Sequence, residues 1–363
     1  MKNELFEPPN NISIEYAVMI KDYFYNHRKT TSLLGVSSYG TVFQLAEKQA
    51  MEVVLASPTA TVDTAGIIGS IILPDEGRLL ILYSTVKMMM FVWLVTIHGY
   101  GKGVFAMDAT YKIFKEGLSM ITCNVADVAC IGKLNAFGPT SHEDTRAYHD
   151  ASNMVYDFVT VLVDGIRNCT LPEMWSHALR TQVYDAYSVA VLNAPAEKLA
   201  LRMGASISDC DDAIRNGMMT SKLQPEMHKN DYPHITRGVH KNLNKLKNSS
   251  DDAVEELFTD LAFLHECYDI DLLEHQKIMF RAKLYAKGEG IFLAYLEKEY
   301  LSRNFSRCHG VAGDRTDDCS LEQTHRWMKS EEGFANVGGA HTVMDHAPTY
   351  CYRVSISIIL KRM

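Results

Sequence analysis

Residues 103–137 read GVFAMDATYKIFKEGLSMITCNVADVACIGKLNAF, and the fold turns on them. Three apolar runs, 104–108, 118–125 and 133–137, are parted by Glu116-Gly117 and Gly132, which is the punctuation of short strands. Strands this close in sequence predict an antiparallel meander. The first run closes on an acid, Asp108.

Downstream, the period changes. Val155, Phe158, Val159, Leu162 and Val163 recur at helical spacing, and the sequence predicts a helix opened by Thr140-Ser141 with Glu143 and Asp144 in its first turn. A further strand is predicted over 199–207, ending in Ser208-Asp209, with a helix over 211–219 behind it. A helix starting near Pro233 carries Ile235, Val239, Leu243 and Leu246 on one face. Residues 251–300 read as helices, with Val254, Leu257, Phe258, Leu261, Leu264 and Tyr268 as one stripe, and a last helix is predicted from about Ser320.

Upstream, a helix is predicted over 14–25, and 79–97 (LLILYSTVKMMMFVWLVTI) is mostly apolar. Lys87 at its middle would cost about 2.5–3.5 kcal/mol in a bilayer. A short strand over 79–83 followed by an apolar helix is the better reading, with Met88 to Met90 as core packing. The opening MKNELFEPPNN has neither the apolar core of a secretory signal nor the Arg/Ser bias of a transit peptide, so no membrane or secretory role is expected.

Composition narrows the class. The 363 residues carry 36 Lys+Arg against 44 Asp+Glu, a net charge of −8, which excludes a protein that coats nucleic acid by bulk charge. With 47% hydrophobic and 22% charged residues the chain is globular. Its eight cysteines include no C-x-x-C pair, which argues against a disulfide framework or zinc ribbon and for a reducing compartment.

Phosphoryl transfer assisted by metal ions needs carboxylates from separate elements to converge. Asp108 in FAMDATYK and Asp209 in GASISDCDDAI both follow an apolar strand, although an acid there is more commonly a cap or turn residue. The longer blocks are more specific. FAMDATYKIFKEGLSMITCNVAD resembles the first-acid block of the Mutator-like transposases, and SDCDDAIRNGM resembles their second-acid block. DYPHITRGVHKNLNKL, containing Asp231 and His234, resembles their C/D-x-x-H motif, and RTDDCSLEQTHRWMK resembles the third-acid block around Glu322. The four blocks occur in the family's order and cover most of the chain.

The resemblance implies an α/β fold of the DDE superfamily: a ribonuclease-H-like mixed sheet flanked by helices, with a helical insertion before the third acidic residue. Residues 99–247 and 311–363 would form the catalytic core, 248–310 the insertion and 1–98 an accessory region. It implies an acidic triad of Asp108, Asp209 and Glu322 holding two Mg²⁺ or Mn²⁺, with Asp231 and His234 beside it. The implied activity is nicking of DNA at transposon terminal inverted repeats, then attack of the freed 3′-hydroxyl on target DNA. A nuclear location and a homo-oligomer are implied with it, although no clear nuclear localisation signal is present. Lys112, Lys229, Arg237, Lys241, Lys245, Arg326 and Lys329 are the candidate DNA contacts. Two basic strips, 226–247 and 277–303, lie either side of nine acids between Asn248 and Gln276, a stretch with no Lys or Arg.

The sequence departs from the family at Thr316-Asp317-Asp318, where Thr-Asn-Asn is usual, and in lacking zinc modules: 1–98 has no cysteine, and only Cys351 follows Lys329. These departures favour an alternative, a domesticated descendant that binds DNA or protein without turnover. A metal-dependent nuclease without strand transfer is a third class. Rival signals are weaker. His142, Glu143 and His149 read as a solvated first turn rather than a metal cluster. Gly99-Tyr100-Gly101-Lys102-Gly103 precedes a strand, whereas a phosphate loop follows one. No Ser or Cys nucleophile has an elbow motif around it.

Overall fold

The computed structural model describes residues 55–73, 76–98, 103–110, 118–126, 132–209, 211–306 and 308. The helices expected over 14–25 and from Ser320, and with them Glu322, Asp317, Asp318, Lys112, Arg326 and Lys329, lie outside the described residues.

Seven strands form one mixed sheet. In chain order they are β1 (Ala65–Leu73), β2 (Arg78–Thr85), β3 (Gly103–Thr110), β4 (Ser119–Ala126), β5 (Gly132–Thr140), β6 (Met203–Ser208) and β7 (Met227–Asn230). In space the order is β1-β2-β5-β4-β3-β6-β7. The predicted meander is β3-β4-β5, antiparallel throughout, with Asp108 opposite Thr122 and Cys123 opposite Ala136. β6 and β7 then add in parallel on the free side of β3. Parallel neighbours need crossover helices, and these are supplied between β5 and β6 and between β6 and β7.

The central strands are buried on both faces: Met120, Ile121, Cys123, Val125, Ala136 and Phe137 are all 0% exposed. Such strands read as continuous apolar runs because no side meets water. The 79–97 segment divides as expected, into β2 and helix α1 (Val86–His98). Met88, Met89, Met90, Val92 and Trp93 of α1 are fully buried, so it is apolar all round because it is a core helix. Its Lys87 pairs with Asp63 at 2.9 Å. No helix among the described residues is long and apolar enough to cross a membrane.

The boundary expected at residue 98 falls inside this sheet, because β1, β2 and α1 belong to it. The long helix α2 (Thr145–Asn168) starts later than expected. Thr140 is still paired in β5, and the Ser141 hydroxyl receives the Leu79 amide at 2.8 Å. Asp144 is the cap, accepting from the Ala147 amide at 2.9 Å and bound by Arg78. Its apolar stripe packs as predicted, with Val155, Val159, Leu162 and Val163 at most 1% exposed. Helix α3 (His177–Asn193) and strands β1 and β7 complete the layer without having been anticipated.

Helix α4 (Asp212–Thr220) follows β6, and α5 (Tyr232–Lys241) follows β7. Beyond them lie α6 (Asp251–His265), α7 (Ile270–Ala286), α8 (Gly290–Leu296) and a π turn over Glu297–Leu301. They share a second core with α5, built on Ile235, Val239, Leu261, Leu273, Phe280, Phe292 and Phe305. The helical unit therefore reaches back through α5, not only to residue 248. Tyr268 leaves the predicted stripe: α6 ends at His265, and Tyr268 is 67% exposed.

Candidate active site

The parallel pairing of β3 with β6 brings the two aspartates together. Phe105 pairs with Ser206 and Ala106 with Ile207, and the same register carried two residues on sets Asp108 beside Asp209. Neighbouring strands lie about 4.8 Å apart, so two carboxylates meet at the end of the sheet. The chain folds this way locally because the apolar runs end there: the first five residues of β3 and all of β6 are buried, while Asp108, still paired with β4, and Asp209 follow the last β3–β6 pair.

Burial, and next the charge of Asp108, push the Asp209 carboxyl up to about 6. The Asp211 amide at 3.0 Å and the nearby His234 oppose that rise. Asp108 Oδ1 accepts from the Ala109 amide at 2.7 Å, and its carbonyl accepts from the Thr122 hydroxyl at 3.2 Å.

A polar layer lies behind Asp209. Ser206, Ser208, His228, Asn230 and Asp231 are all at most 5% exposed. The His228 ring meets the Ser206 hydroxyl at 2.8 Å through Nδ1 and the Ser208 hydroxyl at 3.3 Å through Nε2. Burial, then the charges of Arg215 and Arg303, push this imidazole down to about 3, so it stays neutral. The Ser208 hydroxyl and the Asn230 side-chain amide both donate to the Asp209 carbonyl, at 2.8 and 3.2 Å.

Asp231 caps α5 and is 0% exposed. Its Oδ2 accepts from the His234 amide at 3.3 Å and meets His234 Nδ1 at 2.6 Å. With Nδ1 as the donor, Nε2 of His234 is left as an acceptor, and Arg237 Nη1 lies 3.5 Å from it. The buried carboxylate thus fixes the orientation of a histidine that lies near Asp209 and whose protonated form opposes the rise of that carboxyl.

Two expectations need correction. Lys229 is 1% exposed in β7, so it is part of the interior and cannot present its ammonium to DNA. Exposed basic residues do lie on α5 and the turn after it: Arg237, Lys241 and Lys245, the last seated 3.9 Å from the Tyr295 ring centroid. His142 and Glu143 precede α2 and are not part of its first turn; His142 meets Ser141 at 2.8 Å and His149 meets Asp150 at 3.1 Å.

Tyr148 was not anticipated. It is 1% exposed, and burial first, then the charges of Glu143, Asp108, Asp211 and Asp209, hold its phenol well above the usual range. Its place seven residues before Val155, on the apolar stripe of α2, was the available signal. Glu143 Oε1, at the head of α2, is buried with no hydrogen-bond partner among the described residues. Among those residues no three His, Cys, Asp or Glu side chains are grouped to hold a metal. Asp108 and Asp209 supply two oxygen-donor side chains of the kind Mg²⁺ and Mn²⁺ take, and the repulsion between them is relieved by a cation. Comparison with known proteins finds no matching family model and no matching curated protein.

Proposed function

We propose that this chain is a metal-dependent DNA-cleaving and strand-transferring enzyme of the ribonuclease-H-like, Mutator-like transposase type. The observation that carries the reading is the pairing of β3 with β6, which sets Asp108 beside Asp209 with the Asp209 carboxyl raised. The strand order supports it: an antiparallel meander whose first strand bears the first acid, then two parallel strands, the nearer followed at once by the second acid. So does the helical unit, which occupies the interval between Asp209 and Glu322.

Asp108 and Asp209 would hold a divalent cation between them, and Glu322 is the third donor that the sequence resemblance supplies. A bound Mg²⁺ or Mn²⁺ activates the attacking oxygen and stabilises the leaving one. Asp231 holds His234 in one orientation near Asp209, where the ring accepts or returns a proton at Nε2. The exposed Arg237, Lys241 and Lys245 supply the cationic side along which a phosphate backbone would lie. The nucleus as the place of action and DNA ends as the substrate belong to the same reading.

The test is nicking of supercoiled plasmid by the purified chain with Mg²⁺ or Mn²⁺. Asp108→Asn, Asp209→Asn and Glu322→Gln are each expected to lower the rate more than about a hundredfold, beyond the usual effect of a residue that only supports a ligand. Nicking that survives all three changes overturns the reading. Metal-independent DNA binding without nicking by the unaltered chain favours the domesticated alternative. Pre-nicked ends that are cleaved but never joined to target mark a nuclease without strand transfer.

A further inference from the structure

The segment that closes the helical unit returns to the sheet beside the second acid. Asn304 accepts from the Asn230 amide through its carbonyl at 2.7 Å and donates from its side chain to the His228 carbonyl at 3.3 Å. It thereby continues the edge of β7 with backbone from beyond the π turn. Asn230 uses its other donor on the Asp209 carbonyl at 3.2 Å, and the next amide, Asp231, donates to the Ser208 carbonyl at 2.7 Å. One residue earlier in the strap, Arg303 meets Asp212 at 2.9 Å, at the head of the helix that follows Asp209. The strap is itself held by the helical unit: Phe305 gives its carbonyl to His265 at 2.9 Å, and Ser306 donates to the Cys267 carbonyl at 2.7 Å.

From this geometry we propose that Asn230 is a positioning residue for the Asp209 carboxylate, and that the Asn304 strap makes the geometry of this acid depend on the docked helical unit. The proposal rests on Asp209 being a metal-binding acid, as argued above. Asp209 lies one residue past the end of β6, where no strand neighbour fixes its backbone. Among the described residues its carbonyl has two donors, and of these Asn230 reaches it from another element. Asn230 is 2% exposed and hydrogen-bonded at both its backbone and side-chain nitrogens, so its amide has little freedom to turn away. An outer partner that orients a ligand typically changes metal affinity or activity about 10–100-fold when removed.

The experiment is Mn²⁺ binding to the full chain, followed by the electron paramagnetic resonance signal of free Mn²⁺, with the unaltered chain, Asn230→Ala, Asn304→Ala and Asp209→Asn. Asn230→Ala is expected to weaken Mn²⁺ binding roughly tenfold or more, and Asn304→Ala several-fold in the same direction, with affinity for DNA in the absence of divalent cations unchanged. A merely structural role would move the melting temperature and leave Mn²⁺ affinity alone. Asn304 is exposed, so its alanine variant keeps the test decisive if Asn230→Ala does not fold. Asn304→Ala keeps the backbone bond to Asn230 and removes the side-chain bond to the His228 carbonyl. Unaltered binding in this variant overturns coupling through the Asn304 side chain, and unaltered binding in a folded Asn230→Ala overturns the positioning role; in both results the Asp209 site stands if Asp209→Asn abolishes binding. Failure of the unaltered chain to bind Mn²⁺ overturns the metal-site reading and this proposal together.

Discussion

Asp209 is held by the fold in the ionisation state the fold least favours. Its carboxyl titrates near 6 in the folded chain, against an ordinary value of 3.8. Between these values the folded state keeps a proton that the unfolded chain has lost, so stability falls as pH rises from about 4 to about 6. The full shift corresponds to about 3 kcal/mol, and partial solvent exposure reduces that to the order of 2 kcal/mol. Asp209→Asn removes the charge while keeping the shape, so it is expected to raise the melting temperature by a few degrees at pH 7 and by almost nothing at pH 4. Thermal melts at the two pH values check this, and an Asn variant no more stable than the parent at pH 7 means that burial and Asp108 together do not disfavour the Asp209 charge. Both acids were legible in the sequence because each closes an apolar run. Lys229 was misread for the converse reason: a lysine between polar neighbours reads as solvated, and only the pairing of β7 with β6 reveals that it is enclosed.

The elements that could be read from sequence were those with a clear period and clear breaks. β3, β4 and β5 are separated by Gly117 and Gly132, and α2 carries an unbroken apolar stripe, so their existence follows from the residues, although the start of α2 was set by Asp144 rather than Ser141. β7 escaped because four residues, Met227–Asn230, carry no period, and each pairs with a residue 22 positions away. α3 escaped because its buried face is thin, with Leu179, Val183 and Val191 enclosed and Val189 71% exposed. The close contact of α4 with α2 was equally invisible, although a glycine marks it. A Cβ at Gly217 would lie 2.6 Å from Tyr148 Cβ, 2.7 Å from the Thr145 carbonyl oxygen and 2.8 Å from the His149 amide nitrogen. Two of these are backbone atoms of α2 that cannot swing aside. Gly217→Ala improves intrinsic helix propensity by about 1 kcal/mol, yet overpacking costs about 1–3 kcal/mol. The expected result is a net loss of stability, read as a lower denaturant midpoint at unchanged slope. A midpoint that rises shows that α4 has room to move away from α2.

Across the whole molecule the charge is divided by core. The nine acids of 248–276 fall on α6, α7 and the turns that join them, and the remainder of the chain stands at +1. Part of that acidity is internally matched, since Lys283 pairs with both Glu256 and Asp260 and Lys287 with Glu256. On the proposed reading, DNA would be repelled by α6 and α7 and drawn to α5 and the turn after it, where Arg237, Lys241 and Lys245 are exposed. Such an arrangement would guide a duplex toward the acids while keeping it off the insertion, which a uniformly basic surface would not do. Each phosphate neutralised releases counterions and adds about 0.9 to the slope of log affinity against log salt. Replacing Arg237, Lys241 and Lys245 together by alanine is expected to weaken binding of any DNA sequence and to flatten that slope by about 2–3, with the fold intact because none of the three is buried. Reversing acids on α6, by Glu255→Lys with Asp252→Lys, is expected to strengthen non-specific binding and steepen the slope. Fluorescence anisotropy on a random-sequence duplex over a range of salt concentrations measures both. A triple variant with an unchanged slope places the DNA path away from α5 and leaves the two aspartates without the cationic approach argued for them.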